Sequence, residues 1–163
     1  MKPILTTITI MMQPVGMQCT MKRKYPSMPI PAVAGVIFSG DRVLVVKRAN
    51  PPSKGQWSLP GGAVKIGETC EDALRREIDE EVGLGVKIKA LVEVVDKIFL
   101  DDQGRVKYHY IILEYLAEHV KGRPRACSDA MQVKWVDVAK LSLLGLGQDT
   151  IRVIDKAWKM RAK

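Results

Sequence analysis

Cysteine, histidine and aromatic residues are all scarce in this 163-residue chain. The three cysteines, Cys19, Cys70 and Cys127, are odd in number, widely spaced and without a zinc-ligand pattern. They read as free thiols of a reducing cytoplasm. Of the two histidines, His109 lies mid-strand, where packing is the ordinary role, and His119 ends a strand and suggests no chemistry. Aromatics are 6% of the residues and do not alternate with cations, which argues against a stable nucleic-acid partner. Internal repeats and low-complexity segments are absent. Apolar runs of membrane-spanning length are absent too. Lys2 and Pro3–Met12 run into the break Gln13-Pro14 with no small-residue cleavage site, so neither a membrane span nor a secretory leader is expected.

What is present is a soluble globular composition, 47% hydrophobic and 27% charged, at a length that suits one domain. Residues 1–28 stand apart. They hold six of the eight methionines, little periodicity and four cations (Lys2, Lys22, Arg23, Lys24), and are expected to form a flexible or loosely docked tail. The net charge is +8, but beyond residue 28 there are 22 basic against 18 acidic residues. A domain of that modest positive charge suits steering of an anionic phosphate substrate.

From Ile30 the pattern is globular. Ala32–Ser39 (AVAGVIFS) predicts a buried strand, Gly40-Asp41 a turn and Val43–Lys47 (VLVVK) its hairpin partner. Arg48–Gly55 is a loop rich in proline and cations. Val86–Phe99 predicts one or two strands, Asp101–Gly104 a turn and Arg105–Ala117 a long strand. After a loop over Lys121–Asp129 come a short strand at Val133–Val136 and one helical turn at Val138–Leu141. The amphipathic helix Gln148–Lys159 follows, with Ile151, Ile154 and Trp158 inward. Strands interleaved with two helices predict an α/β fold, an α/β/α sandwich on a mixed β-sheet, over residues 29–163.

The densest chemistry lies in Gly62–Leu84, GAVKIGETCEDALRREIDEEVGL. Thr69 suits a helix N-cap, Glu71 and Asp72 its positive first turn, and Gly83 a left-handed C-cap. Leu74, Ile78 and Val82 recur every four residues and predict a buried stripe. Glu77, Glu80 and Glu81 crowd the other side, and like charges at that spacing destabilise a helix unless a cation neutralises them. Hard oxygen ligands at this density suit Mg²⁺ or Mn²⁺. Gly61 and Gly62, after Pro60, permit a tight backbone beside the metal and phosphates.

The spacing is specific. Gly62, five residues, Glu68, seven residues and Arg76-Glu77-Ile78-Asp79-Glu80-Glu81-Val82-Gly83-Leu84 match every fixed position of the Nudix box. With Trp57-Ser58-Leu59-Pro60-Gly61-Gly62 leading into it, the chain resembles the Nudix hydrolase superfamily from about Ala32 to Asp137. That resemblance implies metal binding by Glu77, Glu80 and Glu81, helped by the Gly61 carbonyl. It also implies an orienting ion pair between Glu68 and Arg76, with Gly62 and Gly83 as structural parts of the box. The implied reaction is metal-dependent hydrolysis of a nucleoside diphosphate linked to another group, with Glu80 or Asp129 taking the proton of the attacking water.

KRANPPSKGQWSLPGG before the box and GRVKYHY after it are similar to the ADP-ribose pyrophosphatase-like branch, which splits ADP-ribose into AMP and ribose 5-phosphate. The proline that often marks such enzymes beyond the box is missing between Asp96 and Leu100. A nucleotide-pool sanitiser of the 8-oxo-dGTP type is the second reading. A non-catalytic nucleotide-binding module is the third, and it commonly lacks a box glutamate, whereas all four are present here. Arg48, Lys54 and Arg105 are the cations expected to meet phosphates. Trp57 reads as packing beside the site, Tyr108 and Tyr110 as sheet packing. The family commonly forms homodimers, and the strand from Arg105 is a candidate interface.

Overall fold

The computed structural model describes residues 22–161, so most of the expected tail lies outside the described residues. One mixed sheet organises them. Its central strand β1 (Ile30–Ser39) is apolar on both faces and almost wholly buried. The strand β6 (Val106–Lys121) runs parallel to it, Ile30–Phe38 against Tyr110–Glu118. On the other edge of β1 two strands share the length. β4 (Gly61–Ala63) pairs Gly61 with Ala34, and β2 (Arg42–Arg48) pairs Val43 with Phe38. β5 (Gly85–Leu100) lies outside β6, while β3 (Trp57–Ser58) and β7 (Ala130–Asp137) both pair with β2.

Side chains alternate across this sheet and so divide the core. Val33, Ile37, Leu44 and Val46 meet α1 (Cys70–Val82) on one face. Ala34, Val36, Phe38, Val43 and Val45 meet α2 (Gln148–Arg161) on the other. The expected α/β/α sandwich is therefore the architecture. α1 begins at Thr69, whose hydroxyl accepts the Asp72 N–H at 3.1 Å. It ends at Gly83 (φ 68°), whose N–H returns to the Asp79 carbonyl at 2.9 Å.

Several boundaries differ from the sequence expectation. Val86–Phe99 is part of one 16-residue strand, and β6 continues to Lys121 because Gly85 and Lys121 still pair. Lys121 is thus strand and not loop. Trp57–Ser58 and Gly61–Ala63 are short strands that propensity does not flag, since glycine is a weak strand former and the pairing partners are distant in sequence. In α2 the deepest positions are Val153, Ile154 and Ala157, with Ile151 and Trp158 at the margin of the core. The last residues before β1 are docked: the Tyr25 N–H donates to the Lys107 carbonyl at 2.8 Å and its hydroxyl to Asp101 at 3.0 Å.

Ile78 is fully buried against β1, whereas Ile66 is 98% exposed. Ile78→Ala should cost about 2–5 kcal/mol in urea unfolding, and Ile66→Ala should stay within about 0.5 kcal/mol of the parent.

Candidate active site

The site forms where α1 crosses β4. Glu81 lies seven residues after Leu74, so it points within about 20° of that buried leucine around the helix. It therefore faces the sheet and is only 4% exposed, which corrects the expectation that it lies with Glu77 and Glu80 on the side opposite the buried stripe. The Gly61 N–H donates to its Oε2 at 2.9 Å. Burial pushes the Glu81 carboxyl up to about 7; the Gly61 hydrogen bond and the nearby Arg48 oppose that shift, and Glu77 and Asp129 add to it. Among the described residues no cation stands within salt-bridge distance of this carboxylate.

Two glycines make the approach. A Cβ on Gly61 would sit 2.1 Å from the Val33 carbonyl oxygen, so any side chain there would part β4 from β1. A Cβ on Gly62 would sit 2.4 Å from the Glu77 carboxylate, so the absence of a side chain lets Glu77 lie across β4.

Arg76 holds the other acids. Its Nε and Nη2 grip Glu68 at 2.5 and 2.8 Å, Nη2 reaches the Ala63 carbonyl at 3.2 Å, and Nη1 bonds Glu77 at 2.6 Å and Glu80 at 3.2 Å. The Arg76 hydrogen bonds, joined by the Lys65 N–H, hold Glu68 well down, at about 2. Arg76 is itself stabilised in its charged form, chiefly by Glu68. One guanidinium thus ties the loop before α1, strand β4 and the helix together. Glu80 is the outer acid, with its side chain half exposed and Lys65 at 3.9 Å.

Asp129 is brought in from the opposite side. Its carbonyl accepts the Ala49 N–H and its carboxylate the Asn50 amide, both at 2.9 Å, and β2–β7 pairing places Arg48 beside Ala130. Arg48 and Asp129 both act electrostatically on Glu81. From Gly61 and Gly62 a cavity of about 420 Å³ opens over the α2 side of the sheet, its lining including Arg23, Arg48, Trp57, Tyr110 and Glu114.

Two expected phosphate contacts are not brought to this cavity. Lys54 is exposed on the β2–β3 loop. Arg105 lies at the tip of the β5–β6 hairpin, bonded to Asp101 at 2.8 Å and set over the Tyr25 ring, so its guanidinium is already engaged. Asp101 is the turn former expected: it accepts the Gln103 and Arg105 N–H groups and sits well below the usual carboxylate range. His109 and His119 stay outside the cavity lining. Sequence reasoning missed Arg23 and Glu114. For Glu114 a signal existed, since it is the single acid in the apolar run Ile111–Ala117.

Among the described residues no three acidic, histidine or cysteine side chains converge on one point as a ready metal cage. The donor set is nevertheless right for a hard cation. Glu77 and Glu81 flank Gly61 and Gly62, and Mg²⁺ characteristically takes one or two carboxylates and completes its shell with water and phosphate oxygens. The arrangement fits an open site that a phosphate ligand completes.

The profile of the NUDIX domain matches residues 28–157 of this chain. The chain belongs to the Nudix hydrolase family. This Nudix hydrolase is 36% identical over 131 residues to the ADP-ribose pyrophosphatase of Methanocaldococcus jannaschii, covering 80% of this chain and 75% of that one. It is 40% identical over 111 residues to a putative 8-oxo-dGTP diphosphatase 2 of Mycobacterium tuberculosis, covering 67% of this chain and 74% of that one. The crystal structure of a MutT NUDIX hydrolase from Burkholderia pseudomallei superposes with a TM-score of 0.69 at 30% identity, over 79% of this chain and 98% of that one. The fold is shared with the NUDIX domain of Shewanella oneidensis NrtR, crystallised with ADP ribose, with a TM-score of 0.66 at 23% identity, over 83% of this chain and 90% of that one.

Glu81→Gln keeps an acceptor for the Gly61 N–H and removes the buried charge. A carboxyl raised on folding from 4.5 to about 7 favours the unfolded state increasingly across that window and by a constant amount above it. In chelator-treated protein the variant's stability advantage should be absent below pH 4.5, grow to about 3 kcal/mol by pH 7 and then level off. An advantage independent of pH in denaturant titrations would contradict the burial of this group. Gly62→Ala should displace Glu77 and lower kcat/KM by about a hundredfold, with the fold retained by circular dichroism.

Proposed function

We propose that this Nudix hydrolase cleaves ADP-ribose into AMP and ribose 5-phosphate. The observation that carries the reading is the meeting of Glu77 and Glu81 with Gly61 and Gly62, the two glycines that also line a nucleotide-sized cavity. The similarity to the Methanocaldococcus enzyme, extending over most of both chains, supports the choice of substrate. A divalent cation, Mg²⁺ or Mn²⁺, held by Glu77 and Glu81 with Gly61 and Glu80 alongside, would supply Lewis-acid neutralisation of the diphosphate charge.

The chain's own residues do the rest. Arg48 meets the diphosphate oxygens at the cavity wall. Arg76, fixed by Glu68, positions Glu77. Asp129, whose charge acts on Glu81, or Glu80 accepts the proton of the attacking water. A cytoplasmic location is supported by the free thiols Cys70 and Cys127. A homodimer is supported by the edge strand β5, which exposes Leu91, Val94, Ile98 and Leu100; light scattering should return twice the chain mass.

The second reading, hydrolysis of an oxidised purine nucleoside triphosphate, is favoured by the absent proline between Asp96 and Leu100 and by the Mycobacterium relative. The two separate in a panel of ADP-ribose, NADH, diadenosine polyphosphates, canonical nucleoside triphosphates and 8-oxo-dGTP, with Mg²⁺ or Mn²⁺. ADP-ribose should give the highest kcat/KM, and Glu81→Gln should lower it by at least about a hundredfold. Dominant hydrolysis of 8-oxo-dGTP would transfer the assignment. Nucleotide binding with no turnover of any substrate would overturn the enzymatic reading.

A further inference from the structure

Glu114 is the buried acid that the hydrolytic arrangement does not use. It sits on β6 in register with Ala34, which on its other edge pairs with Gly61. Two strand spacings therefore separate Glu114 from Gly61, about 10 Å. The side chain is 7% exposed, lines the cavity, and its Oε2 has no hydrogen-bond partner among the described residues.

The cations around it are committed elsewhere. Lys97, which shares the cavity wall, bonds Asp149 at 2.6 Å. Arg152 and Lys156 bond Glu93, the residue opposite Glu114 on β5, at 2.9 and 3.4 Å. Burial pushes the Glu114 carboxyl up to about 7, with Lys97 opposing and Glu93 adding. A buried acceptor left unpaired costs stability that a donor from a ligand would restore.

The cavity is polarised. Arg48 and Arg23 give it a cationic side suited to phosphate, whereas Glu114 and Asp149 would repel a phosphate from the other. The cavity that Glu114 lines also has Ile112, Phe99, Tyr110 and Trp57 in its walls, apolar and aromatic surfaces that suit a flat ring. On the reading of this cavity as the nucleotide site, we propose that Glu114 is a specificity-determining residue that accepts a hydrogen bond from the exocyclic amino group of a purine base. Adenine carries that group at C6 and guanine at C2. Both present the same donor chemistry to the unpartnered Glu114 oxygen, which keeps acceptor capacity in either protonation state.

The test is calorimetric binding of two matched pairs to the metal-free protein: AMP against purine riboside 5′-monophosphate, and GMP against IMP. Each pair differs at the amino group. In one pair the amino-bearing member should bind roughly ten- to a hundredfold more tightly, and the pair that does so identifies the base. Glu114→Leu should bring that ratio close to one and leave the amino-free member within about twofold. Its melting temperature should be no lower than the parent's, since an unpaired carboxyl is removed. Glu114→Met, nearer in shape, carries the same comparison if Glu114→Leu does not fold. Absence of a preference in both pairs, or a preference that survives either substitution, overturns the proposal. Loss of ADP-ribose turnover from the parent panel with the binding preference intact would overturn the ADP-ribose reading alone.

Discussion

One hydrogen bond, from the Gly61 N–H to the Glu81 carboxylate, joins the two halves of this site. It requires a helix and a strand to approach more closely than side chains normally allow. The approach is possible because β4 carries glycine at two successive positions, and a side chain at either would strike the Val33 carbonyl or the Glu77 carboxylate. It also requires the helix to turn an acid toward the core, beside Leu74, Ile78 and Val82. Burying that acid is costly, and the 2.9 Å hydrogen bond offsets only part of the cost. A cation at the mouth of the site would offset the rest, so the same strain that destabilises the empty fold favours metal binding.

Around this contact the charges are arranged in order of burial. Glu81 is deepest and has no cation partner among the described residues. Glu77 is tied to Arg76, and Glu80 is outermost and solvated. Arg76 spends its two hydrogen-bonding edges on Glu68, Ala63 and the two outer glutamates, so the helix cannot rotate without breaking a bidentate pair. On the proposed reading the cation that meets phosphate, Arg48, comes from the end of β2 and the opposing acid, Asp129, from the residue just before β7, brought together because these strands pair. The proposed catalytic parts, from α1, the end of β2 and the residue before β7, are thereby held around one sheet.

Much of this was legible in the order of residues. The Leu74, Ile78 and Val82 stripe, the Thr69 and Gly83 caps and the paired glycines are local features, and local physics places them correctly. The sandwich followed from strand and helix alternation. Positions that depend on distant pairing were less legible. Whether Glu81 faces water or sheet turns on where the helix docks, and the spacing of acids alone grouped it with Glu77 and Glu80 opposite the buried stripe. Arg105 looks like a free cation in sequence, yet a turn returns it to Asp101 four residues away. Arg23 precedes the first strand and reaches the cavity only through the docking of its neighbour Tyr25 on β6. Glu114 is a lone acid among apolar residues, a signal that sequence reasoning passed over, and only the sheet register places it two strands from Gly61.

On the proposed reading Glu77 and Glu81, held against Gly61 and Gly62, form a cation site that a diphosphate completes. Its most direct test is electron paramagnetic resonance of free Mn²⁺ during titration of the protein, with and without a non-hydrolysable ADP-ribose analogue. The parent should take up Mn²⁺, and the analogue should tighten that uptake, while the Glu77→Gln, Glu81→Gln double variant should do neither. Equal uptake by parent and double variant, with or without the analogue, would contradict the account.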